Sequence, residues 1–170
     1  MDASRPAARL HVAVVGSGHA EAEECEQAAR LGRALAEGGA VVVCGGLGGV
    51  MEAACRGARD GGGMSLGILP GDDRGAANAF VDVAVATAMG EGRNVLVVRN
   101  ADAIVAVGGE FGTLSEMALA LQAGIPVVGL GTWELAKGGR TVDPVLRAIS
   151  PEEAADMALA EAARRRRALR

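Results

Sequence analysis

Short runs of continuous apolar residues alternate along this chain with longer stretches in which apolar positions recur every three or four residues. The runs "HVAVVG" (11–16), "AVVVCGG" (40–46), "MSLGILP" (64–70), "DAIVAVGG" (102–109) and "IPVVGLG" (125–131) each read as a buried strand. "FVDVAVAT" (80–87) alternates instead, and reads as a short strand or one at a sheet edge. Helical patterns lie between them. Residues 20–39 place Ala28, Leu31 and Leu35 on one face and stop at a Gly-Gly pair; residues 50–63 and 113–124 also close on glycine. Residues 91–101 read as a helix whose run Val95–Val98 is apolar all round, which buries it in the core or at a subunit contact. The stretch 150–170 opens with Ser150, Pro151 and Glu153, a capping box, and reads as the closing helix.

Continuous Val/Ile/Leu strands separated by helices predict a parallel sheet covered on both faces. The expected fold is therefore α/β: a single Rossmann-like three-layer domain over residues 1–170, with a mostly parallel sheet of six or seven strands. Such sheets bind ligands at the carboxyl ends of their strands. All six ends carry glycine, which lets backbone approach something closely: "GSGHA", "GGLGGVM", "PGDD", "TAMGEGRN", "GGEFGT" and "GLGTW".

Composition narrows the chemistry. In 170 residues, half are apolar and 22% charged, which excludes a disordered chain. Core volume must come from aliphatics, because Phe80, Phe111 and Trp133 are the only aromatic residues. A net charge of −4 gives no pull towards nucleic acid, and the terminal "RRRRALR" reads as a basic helix end. Cys25, Cys44 and Cys55 are odd in number and widely spaced, so they read as reduced core residues rather than as a disulfide framework or zinc site. No apolar run approaches a membrane span, and the N-terminus "MDASRPAARL" lacks the apolar segment of a signal peptide; a cytoplasmic protein without membrane contact is expected. Lys137 is the only lysine, so neither a P-loop nor a pyridoxal Schiff base is expected. No metal-ligand spacing occurs, and no cofactor is called for.

The glycine-rich ends suggest a phosphate. "GSGHAE" has two glycines of a dinucleotide fingerprint but Glu21 in place of the third, and no acid follows the second strand; a mononucleotide contact by Gly16 and Ser17 stays open. Gly45, Gly46, Gly48 and Gly49 free the backbone to aim N–H groups at a ligand. "GGEFGTLSE" supports two readings. Gly108, Gly109, Gly112 and Thr113 could seat an anion at a helix N-terminus, or Thr113 and Glu116 could form a plain capping box. His19, Asp72 and Asp73 read as solvated loop residues.

"GGEFGTLSE" resembles the P-G-G-x-G-T-x-x-E motif of the Lonely Guy (LOG) family, nucleoside 5′-monophosphate phosphoribohydrolases often labelled lysine decarboxylases. The lysine count argues against that label. "MGEGRN" resembles the family's M-x-x-R-K segment and "GGLGGVM" its G-G-x-x-G-x-M segment. The likeness is to a short Rossmann-like nucleotide-binding branch that neighbours the molybdenum cofactor carriers. It implies that Gly108, Gly109, Gly112 and Thr113 hold a 5′-phosphate, that Arg93 and Glu116 flank the N-glycosidic bond, and that Met89 lines the base pocket. The implied ligand is an AMP-like purine nucleotide, and the implied assembly is a homo-oligomer, a dimer or higher. Two other readings stand beside hydrolysis: a non-catalytic carrier of a phosphorylated pterin, and a regulatory nucleotide sensor. Asn94 stands where the family has lysine, and Glu110 adds a negative charge to the phosphate loop; both departures bear on catalysis more than on binding.

Overall fold

A computed structural model describes residues 8–142 and 144–169. The expectations for the first seven residues and for Arg170 therefore lie outside the described residues. In chain order the elements are β1 (His11–Gly16), α1 (Ala22–Glu37), β2 (Val41–Cys44), α2 (Val50–Asp60), β3 (Met64–Leu69) and β4 (Val83–Ala86). A 3-10 turn, Gly90–Arg93, leads into α3 (Asn94–Arg99). Then come β5 (Ala103–Val107), α4 (Phe111–Gln122), β6 (Val127–Leu130), a hairpin of β7 (Ala136–Lys137) and β8 (Arg140–Thr141), β9 (Leu146–Ala148) and α5 (Pro151–Ala168).

Seven strands form one sheet in the order β4-β3-β2-β1-β5-β6-β9, every pairing parallel. The sheet is thus wholly parallel, and its seventh strand, β9, comes from a stretch in which the hydrophobic pattern predicts none. The period-two alternation of β1 divides the core. Val12 and Val14 join Leu31, Leu35, Ala54 and Ala158 under α1, α2 and α5. Ala13 and Val15 join Val97, Val98, Met117 and Ala120 under α3 and α4. Three layers follow directly from strands that are apolar on both faces.

Small residues let α1 and α2 pack tightly. A Cβ at Gly32 would overlap the Ala54 carbonyl oxygen, and one at Gly57 would overlap that of Ala29. At the chain's end, Ser150 caps α5 by accepting the Glu153 N–H at 3.2 Å, with Pro151 at the first helical position. Glu153 reaches back to the Ile149 N–H at 2.8 Å, one residue beyond the expected capping-box partner. The basic end of α5 is tied into the fold. Arg166 pairs with Asp102 at 3.0 Å and donates to the Arg9 carbonyl at 2.7 Å, while Asp102 accepts the His11 N–H at 2.8 Å.

The expected helix over 91–101 is shorter, and its apolar run is not wholly buried. Val97 and Val98 are buried, but Val95 is 41% exposed, because α3 covers the sheet with one face only. Among the described residues no helix is long and apolar enough to cross a membrane.

Candidate functional site

The chain leaves β1 towards β2 on one side and returns through β5 on the other, so β1/β5 is the point where the strand order reverses. A crevice at such a point, beyond the carboxyl ends of the strands, is the usual ligand seat of this architecture. A cleft of about 310 Å³ opens there. Its walls come from the end of β1 and the loop after it (Gly16, Ser17, Gly18, His19), the loop after β2 with the first turn of α2 (Gly45, Leu47, Met51), the 3-10 turn (Glu91, Arg93, with Asn94) and the start of α4 (Glu110, Gly112, Thr113, Glu116).

The start of α4 decides between the two readings of "GGEFGTLSE". The helix begins at Phe111, with Glu110 as N-cap and no side-chain cap. Thr113 is therefore the third helical residue and not a cap, so the Thr113–Glu116 capping box does not form. Among the described residues the N–H groups of Phe111, Gly112 and Thr113 have no acceptor. Unpaired amides at a helix N-terminus carry about half a positive charge and favour an anion. Thr113, 3% exposed, packs its side chain over Gly109, and Gly109 turns at φ +95° to make room.

Glu116 lies one turn further on, at the cleft floor and 7% exposed. Its carboxylate makes no hydrogen bond among the described residues and stands 4.0 Å from Arg93 Nη1. Burial pushes its pKa from 4.5 up to about 7, against the attraction of Arg93 and with help from the nearby Glu91 charge. Arg93 is 8% exposed. Its Nη1 donates to Asn94 Oδ1 and its Nη2 to the Gly45 carbonyl at 3.5 Å. Its Nε is buried with no partner among the described residues. Gly45 permits this approach: a Cβ there would overlap the guanidinium and Met51.

Of the residues expected in the site, Gly16, Ser17, Gly45, Arg93, Gly112, Thr113 and Glu116 line the cleft. Gly46, Gly49, Gly108, Gly109 and Met89 do not. The four glycines shape turns instead, all at positive φ. Gly46 packs on Gly67 and Leu69, Gly49 on Ser17 and Gly18, and Gly108 on the Glu24 side chain. Met89 is half-exposed ahead of the 3-10 turn, which directs Glu91 and Arg93 to the cleft in its place. Leu47, Met51, Glu91 and Asn94 were not singled out as contacts, although all four sit inside the Gly-rich or Arg-containing motifs. His19, read as solvated, lines the cleft and donates its N–H to Ser17 Oγ at 3.0 Å. Asp73 accepts the Gly75 N–H at 2.7 Å and so serves its own turn. Beneath the cleft, Cys44 and Cys55 bring their sulfurs to 3.4 Å as free thiols, and this contact pushes the Cys44 thiol well up. Among the described residues no cluster of His, Cys, Asp and Glu could hold a metal ion.

The profile of the SLOG cluster4 family matches residues 9–159. An uncharacterized protein of Archaeoglobus fulgidus is 41% identical over 145 residues, 85% of this chain and 91% of that protein. The molybdenum cofactor binding protein of the phototrophic bacterium Rippkaea orientalis superposes with a TM-score of 0.80 at 32% identity, covering 89% of this chain and 96% of that one. The molybdenum cofactor carrier protein of Chlamydomonas reinhardtii superposes with a TM-score of 0.81 at 30% identity, covering 92% and 99%.

Proposed function

The chain belongs to the SLOG cluster4 family, and from that premise we propose that its cleft holds a phosphorylated pterin of the molybdenum cofactor type without turning it over. The observation that carries this reading is the near full-length likeness to two proteins described as binding or carrying that cofactor. The site fits such a cargo. Three unpaired amides of α4 suit its phosphate. Arg93 and Glu116, which line the cleft, offer donor and acceptor groups there. A volume of about 310 Å³ lies at the lower end of the range for small-molecule sites. The reading takes the whole chain as one ligand-binding domain. The Cys44 and Cys55 thiols, in contact but unbonded, suit a reducing, cytoplasmic setting.

The test is direct. The purified protein is denatured, oxidised and read for pterin fluorescence, with molybdenum measured by mass spectrometry. Pterin bound near one per site is expected; a protein that takes up no pterin when reconstituted would refute the carrier.

A second reading has its own support. Arg93 and Glu116 lie 4.0 Å apart beside the anion seat, and a carboxyl group near pKa 7 suits proton transfer at neutral pH. Under that reading the cleft takes a purine nucleoside 5′-monophosphate and hydrolyses its N-glycosidic bond. Chromatography for free base after incubation with AMP distinguishes the two. Release that vanishes in Glu116→Gln would favour the hydrolase.

We also propose a homo-oligomer. Met64, Val83, Val85 and Val95 are each more than two-fifths exposed on the side of the sheet that α3 covers incompletely. Light scattering should give at least a dimer, and a monomeric mass would overturn this.

A further inference from the structure

An anion seat is poorly served by carboxylates, yet this cleft carries three, Glu91, Glu110 and Glu116, against the single guanidinium of Arg93. Their positions separate their roles. Glu110 is the N-cap of α4, at the edge of the amide cup. Glu116 lies on the floor against Arg93, nine-tenths buried and without a hydrogen bond among the described residues. Glu91 belongs to another element, the Gly90–Arg93 turn, and lies two residues before the buried guanidinium. Its carboxylate makes no hydrogen bond or ion pair among the described residues, although it lines the cleft. Such a charge repels an anionic ligand unless it meets hydrogen-bond donors on that ligand.

We propose that Glu91 reads the ring of the ligand by accepting two parallel hydrogen bonds from a 2-amino-4-oxopyrimidine edge. That edge, a ring N–H beside an exocyclic NH₂, is shared by pterins and guanine and is absent from adenine. This proposal rests on the reading above that the α4 amides hold a phosphate, and it deepens that reading by naming the heterocycle. The ligand is then polarised like the cleft. Its anionic end meets the helix N-terminus, and its donor edge meets the carboxylate across from it. A planar cyclic guanidine matches a carboxylate in the same two-point geometry as an arginine side chain. Adenine keeps an exocyclic NH₂ but sets a ring-nitrogen acceptor beside it, so one of the two hydrogen bonds is lost and an acceptor faces the carboxylate.

The experiment is calorimetric titration with guanosine, inosine and adenosine 5′-monophosphates and with inorganic phosphate. It is run on the wild type, Glu91→Gln and Glu110→Gln, each checked for folding by circular dichroism. Inosine monophosphate keeps the ring N–H and lacks the NH₂. The guanine nucleotide should bind about tenfold or more tighter than the adenine nucleotide, with inosine between them. Glu91→Gln should abolish this preference without weakening phosphate binding, while Glu110→Gln should keep the preference. Equal or tighter binding of adenosine monophosphate by the wild type would overturn the proposal, as would a guanine preference that survives Glu91→Gln. If neither phosphate nor any nucleotide binds, the phosphate cup is refuted and this proposal falls with it. Phosphate binding without a guanine preference refutes the role of Glu91 alone.

Discussion

Replacing Glu116 by glutamine removes a buried charge while keeping the shape and an acceptor oxygen facing Arg93. The carboxyl group titrates at 4.5 unperturbed and at about 7 in the fold, with burial as the largest cause. The folded protein therefore holds this proton more tightly than the unfolded chain, and stability must fall as pH rises between those two values. At 1.36 kcal/mol per pH unit, the penalty reaches about 3 kcal/mol once the group is fully ionised. Below pH 4.5 there is no penalty, because the carboxyl is protonated in both states. Urea unfolding of the wild type and Glu116→Gln at pH 4.5 and pH 8 reads this directly. The variant should match the wild type at the lower pH and exceed it by about 2–3 kcal/mol at the higher one. A difference that stays constant with pH would refute the argument, since it would mean that Glu116 is solvated or fully compensated by Arg93.

Three further substitutions test the surroundings. Thr113→Val keeps the packing over Gly109 and removes only a hydroxyl from the cup; phosphate binding by calorimetry should weaken by about tenfold, and unchanged affinity would exclude that hydroxyl as a contact. Gly57→Ala drives a methyl group into the Ala29 carbonyl and should cost about 1–3 kcal/mol, seen as a lower Tm; an unchanged Tm would mean that α1 and α2 separate freely. Arg166→Ala leaves the buried Asp102 without its cation and unties the carbonyls of Ala8 and Arg9, which should cost about 1–3 kcal/mol in thermal unfolding; no loss would mean the end of α5 is not fastened there.

What was legible in the sequence was whatever burial on both faces of a sheet writes as a continuous apolar run. The strands at 11–16, 40–46, 64–70, 102–109 and 125–131 all announce themselves this way, and their alternation with helices implies the parallel sheet and its ligand edge. Three things were hidden, each for a local reason. β9 is three residues long and includes Arg147, so no apolar run marks it. The start of α4 was ambiguous because Thr113-x-x-Glu116 satisfies a capping pattern whether it sits at the first turn or inside it; the uncapped amides upstream decide the matter, and Phe111, 77% exposed, carries no burial signal to reveal them. The role of the 3-10 turn was concealed because Gly90 and Gly92 break the helical period. The resemblance implies a place in the site for both Met89 and Arg93, and only Arg93 lines the cleft.

The balance at Arg93 and Glu116 shows why this place serves a ligand better than it serves stability. Opposite charges 4.0 Å apart attract by about 4 kcal/mol at an effective dielectric near 20, yet the carboxyl group still titrates well above its ordinary value. Desolvation therefore exceeds the attraction. The guanidinium is no better served: its fork is divided between Asn94 and the Gly45 carbonyl, and its Nε has no acceptor among the described residues. An apolar pair of the same size would stabilise the core more, as buried ion pairs generally compare poorly with hydrophobic replacements. Side chains held this far from satisfaction, beside three unpaired amides at a sheet's switch point, gain most when a polar molecule brings the missing donors and acceptors. The local cost to the fold is then the source of the binding energy, and a substitution that relieves the one should weaken the other.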